Sequence, residues 1–190
     1  MTPDDVDRPA GRFRVVAERT AWAGGRVAVS ILEVEDPDGG RHERQVVRHR
    51  GAVGVVPLHG DGTVTLVRQY RAALDTELWE IPAGVRDVDG EPPEQTACRE
   101  LAEEVGLAAA SLTHLVTFHN SPGFSDEAVV VYVATGLADV PDDRQGVEEQ
   151  HMLVKRIPVG EAVGMVGDGR ITDAKTVIAL LALERRDRSG

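Results

Sequence analysis

Gly84-Val85-Arg86-Asp87-Val88-Asp89-Gly90-Glu91-Pro92-Pro93-Glu94-Gln95-Thr96-Ala97-Cys98-Arg99-Glu100-Leu101-Ala102-Glu103-Glu104-Val105-Gly106-Leu107 joins a turn-rich loop to the strongest helical pattern in the chain. Glycine, aspartate and proline crowd its first part, which reads as loop. From Pro93 to Val105 the pattern is helical, and Gly106 stands where a helix would end. On that helix Ala97, Leu101 and Val105 stack at i, i+4 and i+8 as an apolar stripe. Cys98 is read with the stripe, as a buried structural cysteine. Glu100, Glu103 and Glu104 are expected on the other side, as i, i+3 and i, i+4 neighbours. Like charges at those spacings repel by about 0.2–0.5 kcal/mol per pair. Charge spacing alone suits a solvated acidic face. The functional reading, which spacing alone only suggests, is a cluster of hard oxygen ligands for Mg²⁺ or Mn²⁺.

The flanking residues separate the two. Glu91, Arg99, Glu100, Leu101, Glu103, Glu104, Gly106 and Leu107 resemble, at matching spacing, the Nudix box that marks the Nudix hydrolase family. One departure is that six residues, not five, separate Gly84 from Glu91. The extra residue sits in the loop, where insertions cost little and leave the helix in register. The resemblance implies that Glu100 and Glu104 are direct metal ligands, with Glu103 a ligand or a water-mediated partner. It implies that Arg99 pairs with Glu91 and braces the loop, and that the Ala83 carbonyl is offered to a metal. The cofactor implied is Mg²⁺, with Mn²⁺ able to substitute. Such ions polarise a pyrophosphate and lower the pKa of an attacking water.

Outward from the box, the chain alternates short strands with turn signals. Strands are expected at Phe13 to Ala17, Arg26 to Val34 and Glu43 to Arg48, the last two separated by Asp36-Pro37-Asp38-Gly39-Gly40. These form an antiparallel meander too small to hold a core alone. Further strands are expected at Ala52 to Leu58, Thr63 to Tyr70, Leu78 to Pro82, Leu112 to His119, Ala128 to Ala134 and His151 to Ile157. Helices are expected at Val159 to Gly164 and Asp173 to Glu184. The order implies mixed α and β layers. With the resemblance, the expected fold is α+β: a Nudix fold, with a mixed β-sheet sandwiched between α-helices and an N-terminal antiparallel β subdomain. The organisation reads as a flexible N-terminus over 1–12, a β-meander over 13–50 and a Nudix domain over 51–190.

Bulk properties exclude several classes. At 190 residues and 42% hydrophobic content the chain can bury one sizeable core. No apolar run approaches the roughly 20 residues that span a bilayer. The polar, acidic N-terminus has no signal-like apolar segment, which leaves the cytoplasm as the expected compartment. A net charge of −11 argues against nucleic acid as a partner. The lone Cys98 cannot form an internal disulfide, and none of the six histidines stands in a metal-spaced pair.

Two features narrow the substrate. Ser121-Pro122-Gly123 lies behind the box, with Pro122 sixteen residues after Gly106. By itself it is a Pro-Gly turn; at this offset it resembles the ADP-ribose pyrophosphatase subgroup. The N-terminal meander and the phrase Val67-Arg68-Gln69-Tyr70-Arg71 resemble the same subgroup, in which the meander swaps across a homodimer. The implied reaction is ADP-ribose plus water giving AMP plus ribose 5-phosphate. The alternatives are another nucleoside diphosphate sugar or dinucleotide, or a non-catalytic module that senses ADP-ribose. Arg71 is the candidate phosphate grip, since a guanidinium fork suits oxyanions; its bland reading is a strand-end surface arginine. Adenine needs a planar group to stack on. Trp22 is the first candidate, with Arg48 and Arg50 as alternatives; Trp79 is read as core. Glu148 in Val147-Glu148-Glu149-Gln150 aligns as the general base, Glu149 being the fallback. A base within the helix, such as Glu103, or water activated by metal alone stays open.

Overall fold

Between Ala52 and Ile157, runs of valine, isoleucine and leucine alternate with glycine and proline turns, and a strand forms at each expected stretch. Two run longer than expected, Leu107–His119 and Ala128–Asp139, because they pair with each other as far as Leu107↔Asp139, and the short strand Ala83–Val85 was not expected. The computed structural model describes residues 11–144 and 146–187. Apart from Gly11 and Arg12, the segment expected to be flexible lies outside the described residues. Two units emerge: one runs up to Arg50 and includes Ser121–Glu127, and the other comprises Gly51–Asn120 and the chain from Ala128 onward.

The first unit is built on an antiparallel sheet of β1 (Arg14–Ala23), β2 (Val27–Glu35) and β3 (Arg41–His49), in that order. Asp36 shapes the β2–β3 turn, where its Oδ1 accepts the N–H groups of Asp38 at 2.9 Å and Gly40 at 2.8 Å. Strand β1 runs six residues beyond its expected end at Ala17, because pairing with β2 continues to Ala23↔Ala28 through a register shift between Thr20 and Trp22. The polar run Glu18-Arg19-Thr20 concealed it, since β1 is exposed along its whole length and shows no alternation of burial. Phe124 and Asp126 tie Ser121–Glu127 to β3: Val47 N–H donates to the Phe124 carbonyl at 2.7 Å, and Asp126 N–H to the Val47 carbonyl at 3.3 Å.

The second unit holds two sheets. Strands β4 (Ala52–Pro57), β7 (Ala83–Val85), β8 (Leu107–His119) and β9 (Ala128–Asp139) form a mixed sheet in the order β7-β4-β9-β8. Within it β4 and β9 are parallel and the other pairs antiparallel. Strands β5 (Thr63–Arg71), β6 (Thr76–Glu80) and β10 (Leu153–Pro158) form an antiparallel sheet in the order β10-β5-β6. Side chains on β4 and β9 alternate between two cores. Val53, Val55, Tyr132 and Ala134 pack with Ala97, Leu101 and Leu107 beneath α1 (Pro93–Val105). Ala52, Val56, Val129, Val131 and Val133 face Ala162 and Met165 of α3 (Val159–Gly167) and Ala179, Leu180 and Leu183 of α4 (Ala174–Asp187). The mixed sheet is therefore covered by helix on both faces, as expected from the sequence. No helix among the described residues is long and apolar enough to cross a membrane.

Helix α1 spans the residues expected of it. Pro93 opens it at a position where a missing N–H costs nothing, and Gly106 ends it with φ 65°. A side chain at Gly106 would also press on the Val140 carbonyl, 2.9 Å from where its Cβ would lie. One short helix was not expected: Val147–Gln150, read from sequence as loop, forms a single turn, α2.

Candidate active site

Helix α1 presents its inner face with the period 97, 101, 104, so Glu104 falls on the buried side beside Ala97 and Leu101 and is only 4% exposed. This corrects the expectation that all three glutamates project away from the apolar stripe. The i+7 position of a helix returns to the face of i, and position 104 completes the row that Ala97 and Leu101 begin. The same rotation turns Cys98 outward, and it is exposed, not buried.

Glu104 is held against the segment that precedes the box. The Ala83 N–H donates to its Oε2 at 3.0 Å. Val55 N–H donates to the Pro82 carbonyl at 2.9 Å, and Ala83 is the next residue along β7. In an antiparallel ladder alternate residues turn their polar groups to opposite sides. Ala83 thus directs its N–H and its carbonyl away from β4, on the side of Glu104. Glu100 lies against the neighbouring residue: a Cβ on Gly84 would sit 1.9 Å from the Glu100 carboxyl carbon. Only glycine lets that carboxylate reach the β7 backbone.

Arg99 gathers the remaining acids. Its Nη1 lies 2.8 Å from Glu100 and 3.1 Å from Glu103, and its Nη2 lies 3.3 Å from Asp87 and 3.4 Å from Glu91. Thr96 Oγ1 donates to Glu91 at 2.7 Å and fixes the loop end of this brace. Four carboxylates converge on one guanidinium. Burial, reinforced by Glu103 and Asp87 against the pull of Arg99, pushes the Glu100 carboxyl up to about 7. Burial also pushes Glu104 up to about 8; the Ala83 N–H opposes it, and the charges of Glu100 and Glu149 add to it. For Arg99, burial works against the charged form, but the surrounding carboxylates outweigh it and raise the guanidinium.

The donor set fits a hard divalent cation: carboxylates and a backbone carbonyl, with negative charge in excess and partly buried. As the side chains stand, no three Asp, Glu, His or Cys residues among those described form a ready-made metal site. Glu100 and Glu103 clasp Arg99, while Glu104 is turned to Ala83. Holding an ion requires the first two to exchange Arg99 for it.

The loop after β9 is docked on the end of α1. Arg144 Nε donates to the Glu104 carbonyl at 3.0 Å, its Nη1 to the Met152 carbonyl at 3.4 Å, and Asp143 N–H reaches the Glu103 carbonyl at 3.2 Å. A guanidinium at a helix C-terminus also meets the negative end of the dipole. Of the two acids beyond, Glu148 is exposed. Glu149 turns inward to accept the Gly146 N–H at 3.1 Å, and its charge acts on Glu104.

Arg71 lies at the end of β5, engaged in a two-point ion pair with buried Glu80: Nε–Oε1 at 2.7 Å and Nη2–Oε2 at 2.5 Å. Glu80 is the main cause that raises the Arg71 pKa, and the charges of Asp173 and Glu104 add to it. The other proposed substrate contacts belong to the first unit. Trp22 is 57% exposed on β1, and Arg48 is paired with Glu18 at 2.8 Å and Asp126 at 3.0 Å. Arg50 is exposed, as are Pro122 and Gly123 in a turn closed by Phe124 N–H to the Ser121 carbonyl at 3.0 Å. Trp79 packs, partly buried, against the core as expected. Asp87, Glu80, Arg144 and the first turn of α4 went unnoticed in the sequence. Only their long-range partners mark them, and spacing carries no trace of those.

The chain matches the family model for the NUDIX domain over residues 48–180. It is 42% identical over 171 residues to the ADP-ribose pyrophosphatase of Mycobacterium tuberculosis (strain ATCC 25618 / H37Rv), covering 90% of this chain and 83% of that protein. It is 34% identical over 174 residues to the ADP-ribose pyrophosphatase of Bacillus subtilis (strain 168), covering 92% of this chain and 94% of that one. Among solved structures, an ADP compounds hydrolase superposes with a TM-score of 0.82 over 96% of this chain and 98% of its own. At 23% identity that likeness speaks for the fold.

Proposed function

This chain belongs to the Nudix family, and we propose that it hydrolyses the pyrophosphate of ADP-ribose to AMP and ribose 5-phosphate with a bound divalent cation. The observation that carries the reading is the cradle in which Gly84 admits the Glu100 carboxylate to the β7 backbone while Ala83 N–H holds Glu104. A solvated acidic face has no use for buried carboxylates fixed to a strand. In our reading Glu100, Glu104 and the Ala83 carbonyl hold the ion, with Glu103 a ligand or a water-mediated partner. Mg²⁺ is the ion we assign, with Mn²⁺ as substitute. When bound it supplies Lewis-acid polarisation of the diphosphate and acidifies an attacking water.

The chain's own residues do the rest. Arg99 ties Glu91 and Asp87 to the helix, and it neutralises Glu100 and Glu103 until the ion takes its place between them. Arg71, oriented by Glu80, grips a phosphate oxygen. A carboxylate accepts the water proton: Glu149 or Glu148 beyond β9, or Glu103 on α1; Glu149, which turns inward to the Gly146 N–H where Glu148 is exposed, is the better supported of the pair. The water oxygen joins one phosphorus, the bridging P–O bond breaks, and the bridging oxygen leaves with the other phosphate. Trp22, Arg48, Arg50 and the Pro122–Gly123 turn are proposed to hold the nucleoside. We further assign a homodimer in the cytoplasm. The exposed Val15 and Trp22 on β1, with Phe13 just before it, support a partner surface.

The test is a panel of ADP-ribose, other nucleoside diphosphate sugars and dinucleotides, assayed with Mg²⁺, Mn²⁺ or chelator, with products identified. AMP and ribose 5-phosphate from ADP-ribose, abolished by chelator and reduced by orders of magnitude in Glu104→Gln, are expected. Preference for another substrate on the panel would move the assignment within the class. Binding of ADP-ribose without turnover would make the chain a sensor.

A further inference from the structure

We propose that Thr176, in the first turn of α4, is the positioning residue that aims the Ala83 carbonyl and the Glu104 carboxylate at one divalent ion. The inference rests on the metal reading above and extends it to a helix that contributes no ligand.

Two residues, Ile81 and Pro82, link the end of β6 to the start of β7, and Ile81 is fully buried. Proline has no N–H, so the link has a single backbone donor, that of Ile81. It is donated to Thr176 Oγ1 at 2.9 Å, across 95 residues of chain. Thr176 is itself fully buried. Its hydroxyl proton is committed elsewhere: Asp173 Oδ2 accepts it at 2.6 Å and also accepts the Thr176 N–H at 3.0 Å. The oxygen lone pair is thereby turned to Ile81. Lys175 Nζ joins the other Asp173 oxygen, at 3.0 Å, to the Glu80 carboxylate. One helical turn thus grips residue 80 by its side chain and residue 81 by its backbone.

From there the path to the site is short and has little freedom. The Pro82 φ is fixed by its ring, and its carbonyl is held by Val55 N–H at 2.9 Å. The next N–H, of Ala83, holds Glu104. The Thr176 bond therefore fixes one end of this link and the Val55 bond the other, and Ala83 follows directly from the second. The link is also wedged from behind, since a Cβ on Gly54 would meet Ile81 Cδ1 at 2.8 Å. Groups that orient ligands in this way typically govern metal affinity or activity by about 10–100-fold.

The experiment titrates Mn²⁺ alone, without nucleotide, into wild type, Thr176→Val, Thr176→Ser and Glu104→Gln, reading free Mn²⁺ by electron paramagnetic resonance. Valine keeps the shape and removes the hydroxyl; serine restores it. Mn²⁺ binding about 10–100-fold weaker in T176V, with T176S returning close to wild type, is expected. Unchanged Mn²⁺ affinity in T176V, whatever its melting temperature, overturns the proposal while wild-type binding leaves the metal reading intact. Failure of wild type to bind Mn²⁺, or equal binding by E104Q, overturns the metal reading and this inference with it. Should T176V fail to fold by circular dichroism, Asp173→Asn replaces it. That variant keeps an acceptor at the helix start but loses the charge that orients the hydroxyl. Weakened Mn²⁺ binding in D173N supports the proposal, and wild-type affinity overturns it.

Discussion

Gly84 and Glu100 compete for one small volume, and the outcome sets the site. The residue before Val85 must lack a side chain, because the Glu100 carboxylate occupies the place a Cβ would take. Gly84→Ala is expected to lower turnover by about 100-fold, by dislodging a ligand group from the strand it rests on. A melting temperature close to wild type would localise the damage; full activity in that variant would remove the cradle from the argument. Cys98 gives a second test at this scale. Its exposed thiol is expected to react with a disulfide reagent such as DTNB in the native protein, without denaturant. A thiol that reacts only after unfolding would restore the buried reading. The sequence made both residues visible. Which way Cys98 and Glu104 face depended on a helical phase that an apolar stripe of small and medium residues defined only loosely.

At the scale of elements, α4 and β6 are joined through a buried charge network rather than by apolar contact alone. Glu80 is 1% exposed and lies between Arg71 and Lys175. Burial raises its pKa, but the two cations outweigh burial and hold the carboxyl below its ordinary 4.5. The folded pKa lies below the unfolded value. Its contribution to stability is therefore full above the ordinary carboxylate range and is lost as pH falls through the folded pKa. Urea titrations are expected to show this contribution fading below about pH 4.5 in wild type, and fading less in Glu80→Gln. An identical acid limb in both would contradict it. Lys175→Met leaves a buried carboxylate with one partner instead of two. It is expected to cost about 3 kcal/mol in unfolding free energy; a loss within ~0.5 kcal/mol would mean Arg71 alone satisfies Glu80. Long strongly patterned elements such as α1, β4 and β5 were legible from periodicity. Strand β1 and the single turn α2 were not. The first takes its extent from pairing with β2, and the second from a glycine N–H satisfied by Glu149.

For the whole molecule, a cation that binds only the folded chain must stabilise it by mass action. Saturation to about 100 times the dissociation constant adds roughly 2.7 kcal/mol. In a chain of this size that raises the melting temperature by about 5–10 °C. Thermal melts with Mn²⁺ are expected to show the rise, with chelator to reverse it, and with Glu104→Gln to lack most of it. Equal melting of wild type and variant with and without Mn²⁺ would remove the ion from the site. Sedimentation tests the assembly: a dimeric mass, reduced by charged substitutions at Phe13 and Val15, is the expected result. A monomer at all concentrations would mean the exposed side chains of β1 serve no second copy.

Residue order alone determined the family, the helix that bears the acids, the strand alternation of the second unit and the glycine that ends α1. Each of these depends on neighbours within a few turns or along one strand. The tertiary structure decided what lies behind those residues: Glu104 on the inner face, Arg99 among four carboxylates, Arg144 on the helix end, and Thr176 holding Ile81 from 95 residues away. Hydrogen bonds and ion pairs between distant segments depend on how layers stack, and stacking leaves no period in the chain to be counted.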